Sequence, residues 1–166
     1  MVGGLTLLQP DLELAAALFD ALSRATRQGR GIVRDSYGAG EEMAHDIMRS
    51  AASRLDLEIS IDAIGNLMMT QPGRDRSAAR VIIGSHLDSV PQGGNYDGAA
   101  GVVAGLCALS ALKKAGFEPA YDLTVMGIRA EESAWFDVPY IGSAGAFGLL
   151  DPASRSEEHT SELQSQ

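Results

Sequence analysis

The sequence predicts an α/β fold built on a mixed, largely parallel sheet, and three observations predict it. Residues 81–84, Val-Ile-Ile-Gly, form a short and wholly apolar run, as expected of a strand buried on both faces. Residues 122–128, Asp-Leu-Thr-Val-Met-Gly-Ile, form a second buried strand. Between them, residues 98–115 are rich in Ala, Gly, Val and Leu and read as a helix. Lys113 and Lys114 complement its last turn, and Gly116 stops it. Strand, helix and strand in that order imply a parallel pair joined by a crossover helix. Ligands bind at the carboxyl ends of such strands.

The remaining elements follow in order. Residues 10–25 place Leu14, Ala17, Leu18, Ala21 and Leu22 at helical spacing, with Asp11 and Glu13 near the positive end. Gly29 and Gly31 break this helix, and residues 36–40 read as a loop. A second helix spans 41–55 with Met43, Ile47, Met48 and Ala51 on one face, which leaves His45 at the surface. Residues 57–62 alternate strictly and predict a strand. Gly65-Asn66 turns it back into residues 67–70, its hairpin partner. Residues 72–79 form a polar loop, and a further helix begins within 142–150.

Composition narrows the function. The 166-residue chain is 45% hydrophobic and 21% charged, enough apolar material for a core and too little charge for disorder. Its formal charge of −9, with no basic stripe, excludes a nucleic-acid partner. The longest charge-free apolar stretch, residues 98–112, is shorter than the ~18 residues of a membrane span, so no membrane partner is expected. No signal-peptide pattern opens the chain. Cys107 is the sole cysteine, in a small-residue apolar segment, and reads as a buried inert thiol. With no disulfide possible, the reading is a cytoplasmic protein. Residues 155–166 lack any apolar period and closely resemble a translated sequencing adapter. They read as a non-native tail, so His159 is set aside.

The chemistry gathers in two segments, each following an apolar strand. His86 is followed at two residues by Asp88, and on an extended chain these side chains share a side. Asp88 can hold one imidazole nitrogen while the other binds metal; alone, the same pair reads as a satisfied structural contact. Asp97 closes the loop containing Gly93 and Gly94 and precedes a helix, so by itself it reads as an N-cap. Its second oxygen leaves it free to bridge two cations ~3.5–4 Å apart. Glu131 and Glu132 end the second strand. Neighbouring strand residues point to opposite faces, and a bend would be needed to bring both to one site. One would then ligate and the other accept a proton, or both are merely solvated acids. Taken together, one imidazole and four acids at two adjacent strand ends are the ingredients of a hydrolytic metal site.

These segments resemble the M20 family of metallopeptidases and amidohydrolases, and within it the hydantoinase/carbamoylase branch. Residues 84–102 are similar to that branch's metal motif, 62–67 (Asp-Ala-Ile-Gly-Asn-Leu) to its early hairpin, and 131–136 (Glu-Glu-Ser-Ala-Trp-Phe) with Gly142-Ser143 to its acid-pair region. The likeness covers residues 10–150, with Ser133 standing where many relatives have Gly. It implies a three-layer α/β/α zinc-exopeptidase-like catalytic domain and a site of two divalent ions (Zn, or Mn, Co or Ni). It implies His86 as ligand of one ion, Asp97 as the bridge, Glu132 as ligand of the second, Glu131 as general base and Asp88 as the partner of His86. The implied substrate is an N-carbamoyl-L-amino acid, allantoate or a similar ureido or amide compound. Aminoacylase, dipeptidase or carboxypeptidase activity is the rival within the family. Family members are longer, with two more histidine ligands and a lid or dimerisation domain downstream. Residues 1–154 are accordingly expected to be the N-terminal part of a catalytic domain from a homodimeric parent. By itself the chain would be an inactive fragment, at most a weak metal binder, with an unpaired sheet edge and exposed apolar surface.

Overall fold

A computed structural model describes residues 8–136 and 138–150. Helix α1 (Leu12–Thr26) leads through a small hairpin, β1 (Arg27–Gln28) and β2 (Gly31–Ile32), to α2 (Ala39–Arg54). The strands β3 (Glu58–Ile61) and β4 (Leu67–Gln71) follow, then β5 (Val81–His86), α3 (Ala99–Lys114), β6 (Leu123–Ile128) and the short α4 (Ile141–Ala146). The β1–β2 hairpin has no hydrophobic alternation and was not expected from the sequence. The tail 155–166 lies outside the described residues.

The main sheet is four-stranded, ordered β3-β4-β6-β5. The β3–β4 hairpin is antiparallel, β4 pairs antiparallel with β6, and β5 runs parallel to β6 with His86 opposite Ile128. The mixed α/β fold and the βαβ crossover are thus as expected, and one of the three pairings is parallel. Helix α1 packs against both α2 and α3, and the three cover one core: α2 lies over β3 and β4, α3 over β5 and β6. The core between them joins Leu18 and Leu22 of α1, Met48 and Ala51 of α2, Val102 and Leu106 of α3, and Leu67, Met69 and Val125 of the sheet. Cys107 is buried, as expected, and burial pushes its thiol upward. Among the described residues no helix is long and apolar enough to cross a membrane.

Two expectations are corrected. Val81, Ile82 and Ile83 are not buried on both faces but are 51%, 47% and 47% exposed, because β5 is the edge of the sheet. His45 is not a surface residue; it is fully buried. The buried stripe of α2 runs through Glu41, Ala44, His45, Met48, Ala51 and Ala52, while Met43 is exposed. The helix is rotated by about one position from its most apolar face because Glu41 is anchored inside the protein at its first turn.

Candidate metal centre

His86 is the last residue of β5, and the chain stays extended through buried Leu87 to buried Asp88. The two-residue spacing places them on one side as expected, with His86 Nδ1 3.2 Å from Asp88 Oδ1 and 3.1 Å from the Asp88 carbonyl. Both neighbours of Nδ1 are acceptors, so Nδ1 carries the proton and Nε2 offers its lone pair outward. Nε2 lies 3.7 Å from Glu131 Oε2 and 3.9 Å from Asp97 Oδ1. Burial pulls the imidazole pKa down, but the hydrogen bond and charge of Asp88, with the charge of Glu131, outweigh it and the net shift is upward.

The end of β6 explains how two adjacent glutamates reach one place. Ala130 is buried with a left-handed φ of 48°, which breaks the strand alternation just before the acid pair. Every amide through this bend is taken by a side chain. Arg129 N–H donates to Asn66 Oδ1 (2.9 Å) and Ala130 N–H to Glu41 Oε1 (2.9 Å). Glu131 N–H and Glu132 N–H donate to the two oxygens of Asp88 (3.1 and 3.0 Å). The carbonyls of Arg129, Ala130 and Glu131 in turn accept from Gly142, Ile141 and Tyr140 at the start of α4. Asp88 thus ties the two strand ends together, and Ser36 Oγ donates to it as well (2.6 Å). Burial would raise its pKa, but His86, Ser36 and the two amides hold it below the usual carboxylate range.

The loop from His86 to α3 is fastened from the other side. Gly93 exchanges both backbone hydrogen bonds with Ile32, and Arg34 exchanges two with Ser89. The Arg34 guanidinium is wholly buried and donates to the carbonyls of Leu87, Asn95 (3.4 Å) and Asp97 (2.8 Å). Trp135 Nε1 donates to the Ser89 carbonyl (2.7 Å) and covers the loop. The N-cap of α3 is Gly98, at φ 60°, with no side-chain cap. Asp97 is therefore not the N-cap that its position alone suggested, and its carboxylate is 49% exposed and turned toward His86. A Cβ at Gly98 would lie 2.5 Å from His86 Nε2, so only glycine lets the imidazole sit here.

The structure brings His86, Glu131 and Glu132 together, with one donor atom from each within 4.8 Å of the others. Asp97 stands at the border of this group and Asp88 behind it. Burial, then the charge of Asp97, raises the Glu132 carboxyl, the signature of acids crowded at one point. One imidazole with an oriented lone pair, its far nitrogen held by a carboxylate, and carboxylate oxygens within a few ångströms fit a divalent cation. Arg34 and Glu41, which hold the two halves of the site, were missed in the sequence. Glu41 looks there like any helix-start acid, and Arg34 lies in a segment without periodicity.

The fold and this cluster define a mixed α/β domain with one imidazole and several carboxylates gathered at one rim of its sheet. The chain belongs to peptidase family M28, in the M28/M20-like group, whose family model matches residues 66–161. It is 36% identical over 122 residues to the N-carbamoyl-L-amino acid amidohydrolase of Geobacillus stearothermophilus, covering 74% of this chain and 30% of that protein. It is 33% identical to the ureidoglycolate hydrolase of Oryza sativa subsp. japonica, covering 68% of this chain and 23% of that protein. Among solved structures, a hydantoinase/carbamoylase family amidase from Burkholderia ambifaria superposes with a TM-score of 0.84 at 34% identity, over 90% of this chain and 37% of that one. The chain thus spans about a third or less of the curated relatives it matches.

Proposed function

We propose that this chain carries part of the two-metal site of an amidohydrolase that cleaves a non-peptide C–N bond in a small ureido or amide compound. The N-carbamoyl-L-amino acids and ureidoglycolate of its relatives' names exemplify that substrate class. The observation that carries the reading is the meeting of His86, Glu131 and Glu132 at the ends of two parallel strands. Divalent cations bound there supply Lewis-acid polarisation of the carbonyl and an acidified water. His86 and Glu132 are the proposed ligands and Asp97 the bridging carboxylate. Asp88 keeps Nδ1 of His86 protonated so that Nε2 faces the ion. Glu131 stays unligated, accepts the water's proton and returns it to the leaving nitrogen, a role typically giving ~10²–10⁴-fold in rate. The parent enzyme is proposed to be a cytoplasmic homodimer, and this chain alone to bind cations weakly without turnover.

The test uses the full-length parent enzyme. Glu131→Gln is expected to keep its metal on elemental analysis and lose turnover of ureido substrates; His86→Ala is expected to lose metal. Retained turnover in the first, or unchanged metal content in the second, contradicts the assignment. Cleavage of dipeptides in preference to release of ammonia and carbon dioxide from ureido compounds would place the parent with the aminoacylases and dipeptidases instead.

A further inference from the structure

We infer that Glu41 is a positioning residue for the acid pair: it holds Ala130 in the left-handed conformation that turns both Glu131 and Glu132 toward His86. The inference rests on the reading of this cluster as a cation centre. Glu41 lies in the first turn of α2, far in sequence from the site, and is fully buried. A carboxylate there needs a reason, since an unpaired buried charge is costly. Part of that reason is local. Oε2 accepts from Tyr37 N–H (2.6 Å), just outside the helix start, and from Arg129 Nη1 (3.1 Å). A capping role needs no more than this. Oε1, however, reaches across to Ala130 N–H at 2.9 Å, the amide of the residue whose φ reverses just before the acid pair.

A left-handed alanine is disfavoured relative to its ordinary conformations, because its Cβ crowds the following carbonyl. Ala130 is fully buried, and its N–H is held there by the Glu41 carboxyl, which also pairs with Arg129. Without that acceptor the left-handed conformation loses one of its restraints, and extended conformations of Ala130 gain population. In these, strand alternation resumes, and Glu131 and Glu132 point to opposite faces. Asp88 on the Glu131 and Glu132 amides, and the start of α4 on the carbonyls of Arg129 and Ala130, hold the same bend, so Glu41 shares this restraint and its loss weakens the bend without abolishing it. Glu41 touches none of the candidate ligands; its effect passes through the backbone.

The experiment is a Co²⁺ titration of the 166-residue chain, followed by visible absorption, with metal-free thermal melts in parallel. Glu41→Gln is expected to lower Co²⁺ affinity by about 10–100-fold, the range typical when a ligand's support is removed, and to change the absorption bands. Leu22→Ala, in the core away from the site, is expected to lower the melting temperature and leave affinity and spectrum as in the wild type. Adding Ala130→Gly to Glu41→Gln is expected to recover affinity, because glycine takes the left-handed conformation without strain. Wild-type affinity and spectrum in Glu41→Gln, with Co²⁺ binding abolished in His86→Ala, overturns this inference and leaves the cation centre standing. An equal loss in Leu22→Ala also overturns it, since stability alone would then explain the effect. A wild-type chain that takes up no Co²⁺ overturns both. A measurement independent of any variant is amide exchange in the wild type, where the Ala130 amide is expected to be as protected as core amides of α2. Rapid exchange there overturns the inference even if Glu41→Gln fails to fold.

Discussion

At the scale of single residues, His45 marks where stability and chemistry part. It is buried beneath the strand ends, and neither ring nitrogen has a hydrogen-bond partner among the described residues. Burial, then the nearby Arg129, pushes its pKa down to about 3. It is neutral in the folded protein and titrates near its ordinary value, 6.5, once unfolded. The unfolded chain therefore takes up a proton that the folded chain refuses. The stability contributed by neutral His45 is complete above pH 6.5 and is lost as the pH falls toward about 3. Replacing an unpaired buried polar ring by an apolar side chain of similar size removes this penalty. His45→Leu is expected to raise stability by about 1–3 kcal/mol and to flatten the decline between neutral and acidic pH. Urea unfolding at several pH values measures both, and a destabilised His45→Leu would show that the ring has a partner after all.

At the scale of elements, two features set the frame that the site depends on. The first is the docking of α1 on α3 through Asp11. Its carboxylate caps α1 at Leu14 N–H (3.2 Å) and also meets Ser110 Oγ and Lys114 Nζ at the far end of α3. Lys114 first, then Ser110 and the Leu14 amide, hold its pKa at about 2. The contribution is present above the ordinary value of 3.8 and lost as the pH falls from there toward about 2. Asp11→Ala is expected to cost about 1 kcal/mol, the worth of an N-cap, measured by urea unfolding at neutral pH, with the difference from wild type vanishing in strong acid. The second is β5, the strand that carries His86 and also forms the sheet edge with three exposed β-branched residues. Such an edge pairs with other chains unless covered or charged. Concentration-dependent association is expected in sedimentation velocity, and Ile82→Lys is expected to reduce it. Equal association in both would place the sticky surface elsewhere.

At the scale of the whole molecule, much of the fold was legible because its signals are local. Wholly apolar runs, strict alternation and a Gly-Asn turn located the sheet strands and the βαβ unit to within two residues. The edge position of β5 was not legible there, because strand order depends on β6 inserting between β4 and β5, a long-range pairing. The candidate site was legible in the residues that meet there and not in their supports. Neither the His86–Asp88 spacing nor the Glu131–Glu132 pair pointed to a site alone; their gathering with Asp97 at the ends of two apolar strands did. Arg34 and Glu41 reach the site over 53 to 89 positions of chain, and nothing local distinguishes them from a surface arginine and a helix-start acid. A bend at the strand terminus is what the sequence requires for both glutamates to meet; its place at Ala130, and the buried carboxylate from α2 on that amide, are visible only in three dimensions.

The central claim is that the two strand ends build a divalent-cation site, and crystals of this chain soaked with zinc test it most directly through anomalous scattering at the zinc edge. The account predicts a peak about 2.0–2.1 Å from His86 Nε2 and within bonding distance of a Glu132 oxygen, lost in His86→Ala. A map with no peak beside His86, or with zinc held only by residues elsewhere on the surface, would contradict it.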